Sequence, residues 1–234
     1  MWKAPLILLL IVGFANAGEI RGRVQFHPAA SGEVRISYEG LTKEGKRISD
    51  MAGLTVGPGE SWVWCKTNDP RRTGVKWSPD TGLTFQCLEL PMGKYLVAVK
   101  NGNFLDWKVV EIGKDDELVD VALVVDHEHT GTLHVNISKG KGDYEVGVAP
   151  INNDGQPPIP GLAPEGSYHI RVATKIKQSK TATLEGIRPG RYHLRLRGVK
   201  QLGSGPSGAA TMLTPLGATN VSVELGKEVS VTLP

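Results

Sequence analysis

Two stretches of this 234-residue chain repeat each other, and this repeat constrains the fold more than any other feature of the sequence. Residues 90–99 read LPMGKYLVAV and residues 187–196 read IRPGRYHLRL, so a Gly-x-Tyr motif recurs within an apolar alternation. A second repeat follows each of these stretches. Residues 110–114 read VEIGK and residues 223–227 read VELGK, and each block is followed by Val-x-Val-x-Leu, at 119–123 and at 229–233. Such repetition indicates one structural unit that occurs twice.

The repeated blocks alternate apolar and polar residues with a period of two, and Gly and Pro separate them. This pattern is typical of short, half-buried strands joined by turns. Each copy has about 108 residues, and a single sheet could not bury its apolar face, so two packed antiparallel sheets are expected per copy. The sequence therefore predicts an all-β chain of two tandem β-sandwich domains.

The N-terminus has the three parts of a cleavable secretory signal. Lys3 precedes an apolar run at 6–14, and an Ala-Asn-Ala motif ending at Ala17 supplies the small residues of a cleavage site. We therefore expect residues 1–17 to be a signal peptide that is removed after Ala17.

The repeat also sets the expected domain boundaries. The first β-sandwich is predicted at 18–126 and the second at 127–234, with a polar junction at 126–130. Residues 150–164 hold five prolines and are predicted to be an extended connector rather than a polyproline ligand. Residues 199–220, rich in Gly, Ser, Ala and Thr, are predicted to be a mobile surface loop.

Hydropathy and charge limit the expected partners. No later stretch is apolar enough to span a bilayer, and Gly18 rather than Cys follows the expected cleavage site, which argues against a lipid anchor. Without Lys3, 26 Lys and Arg residues stand against 24 Asp and Glu residues. The mature chain is thus nearly neutral, which disfavours nucleic acid as a partner. A secreted or periplasmic protein without a membrane span is expected.

The turns before the repeated strands resemble those of a known family. A Pro-x-Gly-x-Tyr turn ends at Tyr95 and a Pro-Gly-x-Tyr turn at Tyr192, and each copy closes with Val-x-Val-x-Leu. These features are similar to the carboxypeptidase regulatory-like domains. The resemblance implies a transthyretin-like Greek-key β-sandwich for both copies, but it implies little about function, because such modules are accessory parts of many exported proteins.

The sequence lacks recognisable catalytic motifs. The Tyr-Arg-Gly-Ser ending of transthyretin-like hydroxyisourate hydrolases does not occur, and neither sandwich has the paired His-x-His strand of intradiol dioxygenases. A nucleophile elbow, an HExxH helix and a phosphate-binding Gly-rich loop are also missing. His127, Glu128, His129 and His134 could bind zinc or copper, but a solvated linker is the preferred interpretation. We expect no enzyme, no cofactor and no metal.

The mature chain has two cysteines, Cys65 and Cys87. An even number in an exported protein is more often a disulfide than a pair of free thiols, so a bridge is predicted, which would stabilise the fold by about 3 kcal/mol. Alignment of the two Gly-x-Tyr turns places Cys87 at the position of Leu184. This alignment predicts that Cys87 faces the core.

Trp62, Trp64 and Trp77 lie close together in the first copy. If Cys65 faces the core, the alternation along a strand turns Trp62 and Trp64 outward. Two exposed indoles would form a flat platform on which a sugar ring could stack. The alternative is that these Trp residues cover the core beneath the Gly-rich segment 53–59.

A cationic row is predicted in the second copy. Arg191, His193, Arg195 and Arg197 alternate with apolar residues, so they share one face of a strand. Anionic glycans or phosphates could dock there. The alternative is a solvent face whose charges discourage edge pairing with another chain.

These features favour an exported, non-enzymatic binding or structural module of the cell envelope or extracellular space. The alternative is a carbohydrate-binding protein that uses the Trp platform of the first domain. In either case the expected partner is a glycan or another envelope protein.

Overall fold

The computed structural model describes residues 17–27, 32–56, 61–65, 73–78, 82–140, 142–162, 170–205 and 208–234. Residues 1–16 of the predicted signal peptide lie outside the described residues. None of the described segments forms an apolar helix of membrane-spanning length. The described residues fold into these strands: β1 Gly18–His27, β2 Gly32–Thr42, β3 Arg47–Val56, β4 Ser61–Cys65, β5 Thr73–Ser78, β6 Gly82–Leu90, β7 Gly93–Asn101, β8 Phe104–Ile112, β9 Leu118–Asp126, β10 Gly131–Ile137, β11 Gly142–Pro150, β12 Val172–Ser179, β13 Thr181–Ile187, β14 Gly190–Gly205, β15 Gly208–Val223 and β16 Glu228–Leu233.

The strands form four sheets, two in each half of the chain. The first half builds a sheet of order β5-β6-β1-β9 and a sheet of order β4-β3-β2-β7-β8. The second half builds sheets of order β13-β10-β16 and β12-β11-β14-β15. In each half both sheets contribute buried apolar residues to one cluster. The chain is therefore all-β, with two tandem β-sandwiches, as the sequence predicts.

The two sandwiches share one topology. Strands β6-β1-β9 correspond to β13-β10-β16, and strands β3-β2-β7-β8 correspond to β12-β11-β14-β15. In both sandwiches the first strand pairs in parallel with the last, β1 with β9 and β10 with β16, so the expectation of antiparallel sheets is wrong for these two pairs. Strands β4 and β5 have no counterpart in the described part of the second sandwich. The internal repeat in the sequence is thus a repeat of structure.

A glycine opens the first strand of each sandwich because the chain there passes too close to its neighbours for a side chain. A Cβ atom on Gly18 would lie 2.5 Å from the Ile112 side chain. A Cβ atom on Gly131 would lie 2.5 Å from the Glu224 carbonyl oxygen. These matched approaches hold the starts of β1 and β10 against the ends of β8 and β15.

The first core lies between the two sheets of its sandwich. Ile20 and Leu83 come from one sheet, and Ile36, Leu54 and Val97 come from the other; all five are fully buried. Burial of a side chain of this size contributes about 1.5–3 kcal/mol, so the alternating apolar residues supply most of the driving force for sandwich formation.

Cys87 is a free thiol in the first core. It is fully buried on β6, as Leu184 is on β13, so the prediction that Cys87 faces the core is confirmed. Burial raises the pKa of the thiol, which keeps it protonated and a poor nucleophile. The predicted disulfide is not confirmed. Cys65 lies on β4, where its backbone pairs with Ala52, and its side chain is outside the described residues.

The prediction of a mobile surface loop at 199–220 is wrong, because residues 199–205 and 208–220 lie in strands. They belong to β14 and β15, two 16-residue strands that pair from Gly190 and Val223 out to Gly205 and Gly208. Small residues favour loops when no partner strand is present, but here a neighbouring strand satisfies the backbone hydrogen bonds.

A tyrosine hydroxyl fixes the repeated turn in each sandwich. Tyr95 donates a hydrogen bond of 2.6 Å to the Pro91 carbonyl oxygen, and Tyr192 donates one of 2.6 Å to the Arg188 carbonyl oxygen. In both cases the acceptor lies four residues before the tyrosine. Burial raises the pKa of Tyr95 to about 12, and burial likewise raises the pKa of Tyr192. Both hydroxyls therefore stay protonated when the protein is folded.

This pair of tyrosines predicts a loss of stability at alkaline pH. Because the folded pKa values exceed the unfolded value of about 10, the unfolded state loses its protons first. Stability should be complete below about pH 10 and should fall as the pH rises towards 12, which urea denaturation at several pH values can measure. In the Y95F/Y192F variant this alkaline decline should become shallower, although stability at neutral pH falls by about 1 kcal/mol per lost hydrogen bond. An unchanged alkaline decline in that variant would contradict the prediction.

Candidate functional site

A broad hollow of about 810 Å³ lies on the outer face of the β5-β6-β1-β9 sheet. Residues opposite each other on paired strands share a face, so two rows of residues cross the hollow. The rows are Gly74, Gln86, Arg21 and Asp120, and Lys76, Thr84, Arg23 and Ala122. Small residues at two opposite corners leave room between the longer side chains. We call this surface the polar hollow.

The polar hollow is mainly basic. Arg21, Arg23 and Lys76 carry three positive charges, against the carboxylate of Asp120 and that of Glu19, which pairs with Arg21. The Nε atom of Arg21 donates to Glu19 Oε1 at 2.7 Å, and this hydrogen bond raises the pKa of Arg21. Guanidinium, amide, hydroxyl and ammonium groups side by side can donate to the hydroxyl or carboxylate oxygens of a ligand. The surface is thus suited to a polar ligand, particularly one with acidic groups.

This surface is not apparent from the sequence. Its residues come from four strands, and no single strand contains more than two of the charged ones. The sequence indicates it only through the alternation of residues along β1. There Arg21 and Arg23 are exposed and lie between the buried residues Ile20 and Val24. That signal shows which side chains face solvent, but not which strands lie beside them.

Trp77 lies on β5, which belongs to a different sheet of the first sandwich from β4, the strand of Trp62 and Trp64. Trp77 is half-buried on β5 and packs against the first core. Its ring meets Phe26 edge to face, with 5.8 Å between ring centroids. This arrangement matches the alternative in which Trp77 covers the core.

Trp62 and Trp64 lie on β4, at the edge of the other sheet of the first sandwich. Their backbones pair with Thr55 and Gly53 of β3. Their side chains are outside the described residues, so the exposed platform stays a prediction.

The cationic row predicted in the second copy lies along β14 of the second sandwich, but it is not a simple solvent face. Arg197 is opposite Glu145 on β11, with 3.5 Å between its Nη1 atom and Glu145 Oε1. His193 Nδ1 lies 3.1 Å from Asn220 Oδ1 on β15. Arg191, His193, Arg195 and Arg197 are all partly covered.

A buried ion pair beside this row was missed in the sequence. Arg171 reaches across the sheet to Glu145, with 3.2 Å between Nη2 and Oε1 and with only 8% and 7% of the two side chains exposed. Gly147 on β11 lies between them in the sheet, and Ala173 lies opposite it on β12. A buried carboxylate is costly unless positively charged groups lie next to it. Glu145 therefore holds the side chains of Arg171 and Arg197 in place.

The junction histidines have separate partners rather than a common ligand. His127 Nε2 lies 2.7 Å from Asn101 Oδ1, and His129 Nδ1 lies 2.8 Å from Asp126 Oδ2. His134 lies on β10, 3.2 Å from Thr183 Oγ1. Among the described residues, no three His, Cys, Asp or Glu side chains are grouped as metal ligands.

An apolar contact joins the two sandwiches. Leu96 and Ala98 on β7 and Leu105 on β8 are buried, and they belong to the core cluster of the second sandwich rather than the first. Trp107 on β8 meets Tyr192 edge to face, with 6.2 Å between ring centroids. Both faces of this part of the first sandwich are therefore buried.

An ion pair closes the same contact. Arg188 Nη1 lies 2.6 Å from Asp106 Oδ1, and its guanidinium carbon lies 4.9 Å from the centroid of the Trp107 ring. Asp106, which is 7% exposed at its side chain, also accepts hydrogen bonds from the backbone N–H groups of Trp107 and Val124. Satisfying all these groups requires that the two sandwiches keep one relative position.

The sequence does contain a sign of this contact, in a difference between the two repeats. Leu96 and Ala98 in the first copy stand where the second copy has His193 and Arg195. A strand buried on both faces is continuously apolar, whereas a half-buried strand alternates. The apolar run after Tyr95 therefore marked an outer face that something covers.

Comparisons with known proteins show only distant similarity in structure. No family model matches the chain, so membership of the carboxypeptidase regulatory-like family is not confirmed, and no curated protein matches it. A candidate carbohydrate-binding protein of Pseudomonas aeruginosa has 14% identity and a TM-score of 0.29, over 47% of this chain and 90% of that one. The minor pilin of Streptococcus agalactiae has 14% identity and a TM-score of 0.28, over 93% and 94%. A candidate cell adhesion protein of Bacteroides ovatus has 12% identity and a TM-score of 0.25, over 92% and 91%.

The ion pair between the sandwiches can be tested by replacing Arg188 with Met, which keeps an apolar stem but removes the charge. Asp106 would remain buried with only its backbone donors. We expect the free energy of unfolding to fall by about 1–2 kcal/mol, measured by urea denaturation. The control is K180M, since Lys180 is exposed and surface substitutions usually change stability by less than about 0.5 kcal/mol. Equal stability of R188M and K180M would contradict this role.

Proposed function

We propose that the chain is an exported, non-enzymatic module of the cell envelope or extracellular space, in which two β-sandwiches act as one rigid unit for binding or structural support. The observation that carries this proposal is the contact between the sandwiches. Leu96 and Ala98 are 2% and 1% exposed although they lie on the outer face of the first sandwich. A packed and ion-paired junction of this kind restrains the rotation of tandem domains.

The chemistry of the described side chains supports a binding role rather than a catalytic one. Cys87 is buried and protonated, and the junction histidines are paired one by one with neighbouring side chains. Polar groups on the outer sheet faces are instead arranged in cross-strand rows, as on the polar hollow. Rows of this type offer many weak hydrogen bonds to an extended ligand or a partner surface.

Export can be tested with the full chain in a bacterial host. We expect the protein outside the cytoplasm with Gly18 as its first residue, because the apolar run at 6–14 and the Ala-Asn-Ala motif form a signal. Cell fractionation and N-terminal sequencing measure both points. In the L9R variant the apolar run is interrupted, so uncleaved protein should stay in the cytoplasm. Recovery of the unmodified chain as an uncleaved cytoplasmic protein would overturn the proposal.

A second candidate function is carbohydrate binding by the first sandwich. The polar hollow favours it, because its guanidinium, amide and hydroxyl groups suit the hydroxyl groups of a sugar. The Trp62 and Trp64 platform would add stacking on the other sheet. The two surfaces predict different losses on mutation, so they can be separated.

We expect the W62A/W64A variant to lose glycan binding if the indoles form the platform, because stacking depends on the flat ring. Isothermal titration calorimetry against neutral and acidic oligosaccharides measures this loss without relying on tryptophan fluorescence. L118A is the control, since Leu118 is an exposed apolar residue of the same sandwich.

The stability of W62A/W64A decides the alternative. Exposed indoles can be removed with little effect, whereas each buried Trp would cost about 3–5 kcal/mol. A large loss of stability would therefore show that the residues belong to the core. Binding that survives in W62A/W64A but is lost in R23Q/K76Q would assign the sugar to the polar hollow instead.

A further inference from the structure

The hairpin of β14 and β15 extends beyond its sheet. Strand β11 pairs with β14 only as far as Gly198, but β14 and β15 continue to pair with each other as far as Gly205 and Gly208. Residues 199–205 and 208–214 therefore form a two-stranded ribbon with no third strand among the described residues. We call this ribbon the arm.

Strand β15 is an edge strand along its whole length. It is the last strand in the order β12-β11-β14-β15, so no strand of the described chain pairs with its outer edge. Such an edge presents backbone N–H and C=O groups in a row, which is a template for another strand. The free edge is 16 residues long, whereas typical strands in globular proteins have about five or six residues.

The outer strand of the arm, β15, lacks the charged residues that usually protect an edge against pairing with another chain. No Asp, Glu, Lys or Arg occurs from Gln201 to Val223. By contrast, the other described edge strands carry at least one such residue, except for the five-residue β4. These residues are Lys76 on β5, Asp106 on β8, Asp120 on β9, Lys175 on β12, Glu185 on β13 and Glu228 on β16. Charges on edge strands normally prevent edge-to-edge association, and β15 alone among the long edges has none.

The outer part of β15 is also exposed. Thr211 and Thr214 are exposed, and Met212 is 43% exposed. Pro215 follows them and cannot donate a backbone hydrogen bond, so it limits the pairing surface to the arm. This arrangement leaves one neutral, accessible stretch of edge at the end of the second sandwich.

We propose that β15 of the arm pairs with β15 of a second copy of this chain, as an antiparallel ladder around a two-fold axis. A second copy fits because two identical neutral edges meet without repulsion between like charges. Antiparallel pairing is the more stable ladder, and it joins the two β12-β11-β14-β15 sheets into one continuous sheet. The arm is thus a dimerisation element.

The test is the oligomeric state of the mature chain, residues 18–234, by analytical ultracentrifugation over a range of concentrations. We expect a monomer–dimer equilibrium for the unmodified chain. T211K/T214K adds one positive charge to each face of the exposed β15 edge in both copies, so like charges accumulate along the ladder and the dissociation constant should rise at least about tenfold. The matched control is Q25K/N136K, which adds the same charge at exposed positions on central strands and should dimerise like the unmodified chain.

A shortened arm provides a second test in case the lysines disturb the hairpin. Val199 pairs directly with Leu213, so a two-residue Asn-Gly turn can replace 200–212 and close the hairpin there. This variant should be monomeric with an unchanged urea transition of the sandwiches. The proposal is overturned if the unmodified chain is monomeric up to about 1 mM, or if either arm variant dimerises as tightly as the control.

Discussion

Burial on both faces of strand β7 links the two halves of the molecule. Tyr95, Val97 and Val99 point into the first core, while Leu96 and Ala98 join the cluster of the second sandwich. A shift of this strand by one residue would exchange the two sets of side chains and disturb both cores. The register of the β4-β3-β2-β7-β8 sheet and the position of the second sandwich therefore depend on each other. The hydrogen bonds and the ion pair of Asp106 on β8 are consistent with this arrangement.

Much of the fold could be predicted from the sequence because it depends on local alternation. The two Gly-x-Tyr strands, the strand that closes each copy and the inward position of Cys87 all follow from period-two patterns that burial imposes on any half-buried strand. The parallel pairing of that last strand does not follow from the pattern, because alternation carries no information on strand direction. The repeat strengthened these assignments, since one copy served as a reference for the other. Comparison of residues 95–99 with 192–196 also indicates that one face of β7 is covered. The first copy has the apolar residues Leu96 and Ala98 where the second copy has His193 and Arg195.

The candidate site could not be predicted in the same way, because it depends on which strands become neighbours. The polar hollow combines Lys76, Arg23 and Asp120 from three different strands, and the buried pair of Arg171 with Glu145 crosses between strands. Composition also misled at 199–205 and 208–220, where small residues favour a loop locally but each strand is stabilised by pairing with the other. Topology, rather than local preference, decides these cases.

The parallel pairing of first and last strands determines how tension would pass through the molecule. Nine residue pairs connect β1 with β9, from Glu19 with Leu118 to His27 with Asp126, and the chain therefore enters each sandwich at one end and leaves at the other. A force that pulls the two ends apart slides these strands along each other. It loads all the hydrogen bonds of the ladder at once, instead of opening them one after another like a zipper. Each sandwich therefore resists stretching through a ladder that is loaded in shear. The second sandwich has the same arrangement in β10 and β16, so the two ladders would carry the force one after the other along the chain.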